Sequence, residues 1–190
     1  GGEPNPSVIG WCPFNETWDK NGRQQAIAFI DTVYDVTKAM DTTRPVIANS
    51  GSYPTSRTDA HDVHDYEQDA ELFNSYYKDA DKGIVNDQLM RMNKHRQFCR
   101  AELPIFVSEY GGIKWVIEQY AANTWGYGVG PKTLDEFYTR LEALTDTLLG
   151  FDYINGYTYT QLTDVEQEQN GIFNFDRTPK FDAAKLKTIF

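Results

Sequence analysis

The sequence predicts an α/β fold built on a parallel sheet. Short β-branched apolar runs alternate with longer stretches in which apolar residues recur every three or four positions. The runs are apolar almost throughout, as strands buried on both faces are. The composition, 40% hydrophobic and 14% aromatic over 190 residues, suffices for one sizeable core.

The first strand is expected at Ser7-Val8-Ile9-Gly10-Trp11-Cys12, bounded by Pro6 and Pro13. A turn-rich stretch leads to an amphipathic helix from Arg23 to Met40, with Ala26, Ile30, Val33 and Thr37 in one stripe, widened by Ile27 and Tyr34. Arg44 to Asn49 is the second strand, ending in Ser50-Gly51-Ser52. Asp62-Val63-His64-Asp65-Tyr66 is a weaker third. Two helical pieces fill much of Glu67 to Arg100, broken near Asp81-Lys82-Gly83. Pro104 to Ser108 is the clearest strand and stops at Glu109-Tyr110-Gly111-Gly112.

A Trp-, Tyr- and Gly-rich loop runs from Ile113 to Pro131. Thr133 with Glu136 then makes a capping box for a helix carrying Leu134, Phe137, Leu141, Leu144 and Leu148. Asp152 to Thr160 is the fifth strand, and a terminal helix begins near Asp182. No repeat, low-complexity tract or linker divides the chain, so residues 1–190 are expected to form one unit.

The formal charge of -10 argues against nucleic acid and anionic membrane as partners, and no apolar run approaches the ~20 residues of a spanning helix. Cys12 and Cys99 are far apart and fit no metal or redox motif. They read as two separate buried thiols, with a disulfide as the alternative, and leave the compartment open. Neutral substrates that stack on aromatic rings suit the composition.

In parallel α/β folds, ligands meet the loops at the carboxyl ends of strands. Two predicted strands carry a glutamate there: Glu16 after the first, and Glu109 after the fourth. Taken singly, each reads as well as a helix N-terminal charge or a surface residue. Taken together, two carboxylates converging from one sheet are what a retaining glycosidase requires, about 5 to 5.5 Å apart. On spacing alone both readings stay open.

Three motifs in chain order add a resemblance. Pro6 to Trp11 followed by Asn15-Glu16 resembles the fourth barrel strand of glycoside hydrolase family 2, the β-galactosidase, β-glucuronidase and β-mannosidase relatives. Ser108-Glu109-Tyr110-Gly111-Gly112 resembles their seventh strand, and Gly156 to Glu166, with Asn170 to Phe173 and Asp176 to Lys180, resembles the eighth. The resemblance implies a (β/α)8 TIM barrel of which this chain is the C-terminal part, roughly strands four to eight. Upstream strands and β-sandwich domains would then be absent. Such an open sheet is expected to self-associate, and the isolated chain to turn over little substrate.

The resemblance also implies roles. Glu16 would be the general acid/base and Glu109 the nucleophile of a retaining β-glycosidase. Asn15 would hold the sugar 2-hydroxyl, and Tyr66 would hydrogen-bond the nucleophile. His64, Trp125 and Thr160 are further substrate-binding candidates: His64 at the edge of the sugar site, Trp125 as a stacking ring beside Trp115 and Tyr127, and Thr160 in the eighth strand, where many relatives have Trp. Lid packing is the other reading of the loop aromatics.

No cofactor or metal is expected. His61 and His64 with Asp59, Asp62 and Asp65 could be drawn as a metal cluster, but read as a solvated polar loop. Asp164 to Glu168 reads as a solvated or structural loop. Glucuronidases carry an Asn-x-Lys for the sugar carboxylate where this chain has Glu168-Gln169-Asn170. A neutral sugar such as β-galactose is therefore expected, and a non-catalytic carbohydrate-binding descendant of the barrel is the alternative.

Overall fold

The structure is a computed structural model, and it describes residues 5–17, 26–51, 55–82, 103–116 and 123–190. Three strands, β1 (His61–Asp65), β2 (Ile105–Gly111) and β3 (Ile154–Thr160), form a parallel sheet in the order β1-β2-β3. Around it lie α1 (Ile27–Met40), α2 (Ala70–Tyr77), a 3-10 turn at Ala80–Lys82, α3 (Leu134–Leu149) and α4 (Ala183–Ile189).

The first two predicted strands are reduced to two parallel bridges, Trp11 with Val46 and Asn15 with Ser50. Trp11 N–H donates to Pro45 O and Ile47 N–H to Trp11 O, and Ser50 N–H donates to Phe14 O as Glu16 N–H donates to Ser50 O. Between the two bridges sits Pro13, which has no N–H to give, so no continuous ladder forms. The Asp59 N–H donates to Val46 O and joins this pair to the start of β1. The five predicted strands thus lie side by side in chain order, two of them in rudimentary form.

Alternation divides β2 between two environments. Ile105, Val107 and Tyr110 are buried in one core with Phe73 and Tyr77 of α2, Phe137, Leu141, Leu144 and Leu148 of α3, and Leu186 and Ile189 of α4. Phe106, Ser108 and Glu109 instead line a cavity of about 480 Å³ on the opposite face. Both Ser108 and Glu109 can face it because the register slips: Val107 pairs with Val63, and Glu109 pairs with His64, leaving Ser108 as an extra residue. A bulge of this kind re-aims the following side chain.

α2, α3 and α4 each have a side-chain N-cap, from Asp69, Thr133 and Asp182, whereas α1 has none at Ala26. The Thr133 hydroxyl accepts from the Glu136 N–H at 3.1 Å, as expected, but the Glu136 carboxylate reaches Lys132 N–H at 2.8 Å, one residue before the capping-box partner. Asp182 accepts from the N–H groups of Ala184 and Lys185 and opens α4 where the sequence placed it. On α1 only Ile30 of the predicted stripe is buried, while Phe29, Val36 and Met40 stand exposed. The part of that helix before Ala26, and the second helical piece before Arg100, lie outside the described residues.

Two expectations are corrected here. The histidine- and aspartate-rich segment is no solvated loop: every residue of β1 is buried. Its acidic groups stay there because they have partners. Asp62 accepts from Gly51 N–H and Ser50 Oγ, and Asp65 accepts from Tyr77 OH at 3.0 Å and Glu67 N–H at 3.0 Å. Cys12 is exposed, not buried, with its thiol 3.2 Å from Phe14 O. Cys99 lies outside the described residues. The acidic loop, by contrast, is structural at Asp164, which is buried against Lys180 at 2.5 Å and accepts from Gly171 N–H.

Candidate active site

Period-two alternation along β1 and into Tyr66 directs Asp62, His64 and Tyr66 to the cavity side, while Val63 and Asp65 face the helices. On the neighbouring strand, the bulge at Ser108 brings Glu109 level with His64. Glu16 arrives from the other direction, one residue past the Asn15–Ser50 bridge, with φ +50°. A left-handed backbone is unfavourable for a residue with a side chain, and such strain gathers at functional positions.

These side chains meet around one imidazole. His64 Nδ1 is 2.8 Å from Glu16 Oε1 and 3.4 Å from Glu109 Oε2. Its Nε2 is 2.8 Å from Ser50 Oγ, which also lies 3.2 Å from Asp62 Oδ1 and 3.1 Å from Ser108 Oγ. Tyr66 OH donates to Glu109 Oε2 and stands 3.5 Å from Thr160 Oγ1. Ligand-type atoms of Glu16, His64 and Glu109 all fall within 4.8 Å of one another. Of the histidine–aspartate set that could be drawn as a metal cluster, only His64 joins such a group among the described residues.

Glycines make the close approaches feasible. Gly51 has φ +66°, and a Cβ there would fall 2.2 Å from His64 Nδ1. At Gly112, φ +58°, a Cβ would meet Tyr127 at 2.4 Å and Tyr66 at 3.0 Å. That space lets Tyr127 stack on Tyr66, with centroids 3.4 Å apart and planes 2° from parallel.

The two carboxyl groups differ in environment. The hydrogen bond with His64 holds the Glu16 carboxyl below its ordinary value, against the opposing effect of burial. Burial pushes Glu109 up, offset in part by the Tyr66 hydroxyl and by His64. Both directions are opposite to those of a solitary acid at Glu16 and a solitary ionised nucleophile at Glu109. For Glu16 the cause is the hydrogen bond to the imidazole, and for Glu109 it is burial.

Over residues 3–190 the sequence matches the family described as glycosyl hydrolases family 2, TIM barrel domain. The chain belongs to this family. Its three-stranded parallel sheet with flanking helices is a part of that barrel.

Solved structures agree on the fold. The β-D-glucuronidase of Dictyoglomus thermophilum superposes with a TM-score of 0.59 at 18% identity, covering 96% of this chain and 32% of that one. For the β-glucuronidase of Bacteroides uniformis the values are 0.59, 20%, 92% and 22%. For that of Ruminococcus gnavus in complex with N1-substituted uronic isofagomine they are 0.58, 17%, 97% and 32%. The family 2 chain therefore spans about a third of their length or less. No curated protein sequence matches it.

Of the residues singled out from sequence, Glu16, His64, Tyr66, Glu109 and Thr160 come together in one hydrogen-bonded group. Asn15 lines the cavity with Glu109. Trp125 stands apart: it is 47% exposed and meets the group only edge-on through Tyr127, at 5.9 Å between centroids. Trp115 packs against Phe137 in the core. Sequence reasoning missed Ser50 and Ser108, whose hydroxyls tie His64 to both neighbouring strands. Their position at strand ends, one of them directly before Glu109, was the available signal.

Proposed function

We propose that this family 2 chain carries the catalytic centre of a retaining β-glycosidase. Glu109 attacks the anomeric carbon, and the glycosidic bond breaks toward the leaving oxygen, which takes a proton by way of Glu16. In the second half Glu16 takes a proton from water, which displaces Glu109 from the sugar. Tyr66 holds the nucleophile by its hydroxyl, and Asn15 is placed along the cavity for the sugar 2-hydroxyl.

One observation carries this reading. Two carboxylates from separate segments, Glu109 in the C-terminal half of β2 and Glu16 just past the Asn15–Ser50 bridge, present oxygens within 4.8 Å of one another. This closeness supports double displacement, with carboxyl groups about 5 to 5.5 Å apart, over an inverting pair at about 6.5 to 9.5 Å. It also favours catalysis over the alternative of a carbohydrate-binding descendant, which has no use for two abutting carboxylates.

A neutral sugar is the proposed substrate, with β-galactosides as the first candidates on the strength of the family resemblance. The three solved relatives named above are β-glucuronidases, but a likeness of 17 to 20% identity bears on fold alone. In this chain Glu168 occupies the stretch in question, and its charge reaches the Tyr127 hydroxyl together with those of Glu16 and Glu109. A further negative charge there repels a uronate.

The test is a panel of aryl β-glycosides, including galactoside, mannoside, glucoside and glucuronide. Hydrolysis of a neutral member that Glu109→Gln abolishes supports the reading. Preference for the glucuronide overturns the substrate assignment, and full activity in Glu109→Gln overturns the mechanism.

A further inference from the structure

The hydrogen bonds around His64 can be followed proton by proton. The Asp62 carboxylate accepts from Gly51 N–H at 2.5 Å through Oδ2 and from Ser50 at 3.2 Å through Oδ1. The single hydroxyl proton of Ser50 is thereby used. Ser50 Oγ then has only lone pairs to offer His64 Nε2 at 2.8 Å, so Nε2 carries a hydrogen. Ser108 does not alter this, since its own hydroxyl can serve either Ser50 at 3.1 Å or Val63 O at 3.3 Å.

Nδ1 faces the opposite way, at 2.8 Å from Glu16 Oε1 and 3.4 Å from Glu109 Oε2. An unprotonated ring nitrogen and an unprotonated carboxylate oxygen repel at 2.8 Å, so a proton lies between them. The ring cannot turn away, because it is buried and Gly51 is packed against Nδ1.

We propose that Glu16 and His64 hold one proton in common between Oε1 and Nδ1, and that this pair, not Glu16 alone, supplies the proton to the leaving oxygen. The proposal rests on the glycosidase reading above for its chemistry, but not for its proton count. His64 is a positioning residue: it touches no substrate atom in this account and acts through Glu16.

In the first half-reaction the shared proton leaves with Glu16 Oε1 and bonds to the departing oxygen, whose electron pair comes from the broken glycosidic bond. His64 keeps its Nε2 hydrogen toward Ser50. In the second half the proton taken from water returns to the pair, so the site is restored.

The arrangement explains the lowered Glu16 carboxyl, which suits poorly a solitary acid. The titratable groups around the ring are Glu16 from the loop, Glu109 from β2 with Tyr66 on it, Asp62 of β1 through Ser50, and the Cys12 thiol beside Ser50.

The test is an NMR titration of the substrate-free chain, following the Glu16 carboxyl carbon and both His64 ring nitrogens. The Nε2 resonance is expected to be that of a hydrogen-bearing nitrogen, and Nδ1 to report a proton shared with the Glu16 carboxyl, a signature that Glu16→Gln removes. A wild-type Nε2 without hydrogen, or an Nδ1 signature that survives in folded Glu16→Gln, overturns the proposal. A second readout is kinetic. His64→Gln should lower kcat/KM on alkyl glycosides about 10²-fold more than on dinitrophenyl glycosides, which need no acid. Equal losses overturn the proton supply and leave the glycosidase reading standing. Absence of turnover by the wild type is what a partial barrel leads one to expect, and the titration then decides the proton count.

Discussion

His64 and Glu109 are partners in the parallel register of β1 and β2, and their side chains meet at 3.4 Å. They are level only because Ser108 is bulged out between Val107 and Glu109. Without that extra residue, strict alternation would turn Glu109 toward the helices. The bulge therefore brings the two glutamates together, and it lies within the segment Ser108-Glu109.

Tyr66 is the direct support of Glu109. Its hydroxyl lowers a carboxyl that burial raises. Removing it in Tyr66→Phe should raise the Glu109 carboxyl further, so a larger fraction is protonated at a given pH. The acidic limb of the kcat/KM profile is expected to move to higher pH, and kcat to fall roughly 10- to 100-fold. A profile that keeps its acidic limb in place contradicts this role.

Gly51 is predicted to admit no side chain. Ala at this position combines a left-handed backbone with a Cβ 2.2 Å from His64 Nδ1. Gly51→Ala should cost roughly 1 to 3 kcal/mol of stability and displace the imidazole. Denaturant unfolding with unchanged midpoint would contradict it.

Lys180 and Asp164 form a buried pair, with side chains 1% and 5% exposed. The lysine also donates to Trp115 O at 2.9 Å, which ties the C-terminal segment to the loop after β2. Lys180→Met leaves a buried carboxylate without its cation and should destabilise by about 3 to 5 kcal/mol. Replacing both partners with apolar residues should recover much of that loss. If the single and double variants are equally destabilised, the pair is not the cause.

Asp65 gives the pH dependence a sign. Burial raises its carboxyl to about 6, above the unfolded value, despite the hydrogen bonds from Tyr77 and Glu67. A group with a raised folded value contributes fully below its unfolded value and loses that contribution as pH rises through the folded one. Stability should thus fall by roughly 2 to 3 kcal/mol between about pH 4 and pH 7 from this group. Asp65→Asn should remove that slope, and a slope unchanged in the variant contradicts the assignment.

The sequence announced the helix-packed half of the fold more clearly than the cavity half. Thr133, the leucine stripe of α3 and the run before Glu109 obey single local rules, and all appear in the structure. β1 was nearly hidden because His61, Asp62, His64 and Asp65 look solvated. Asp62, His64 and Asp65 are buried because their partners, Ser50, Gly51, Tyr77 and Glu16, come from other segments that no local pattern reveals. Glu16 and Glu109 were legible from their strand-end positions together with the family motifs. The imidazole between them was read as a sugar contact, since nothing in its spacing shows that both its nitrogens are taken. Trp125 lies outside the hydrogen-bonded group, edge-on to Tyr127, and aromatic loop residues stack on each other as readily as on a ligand.

The central claim is that Glu109 becomes covalently bonded to the sugar. A 2-deoxy-2-fluoro β-glycoside with a dinitrophenolate leaving group forms the glycosyl-enzyme and slows its hydrolysis, so the adduct can be digested and located by mass spectrometry. The account predicts one added fluoroglycosyl group, on the peptide containing Ser108-Glu109-Tyr110 and on Glu109 itself. An adduct on another residue, or none in protein that hydrolyses the corresponding unfluorinated glycoside, would contradict it.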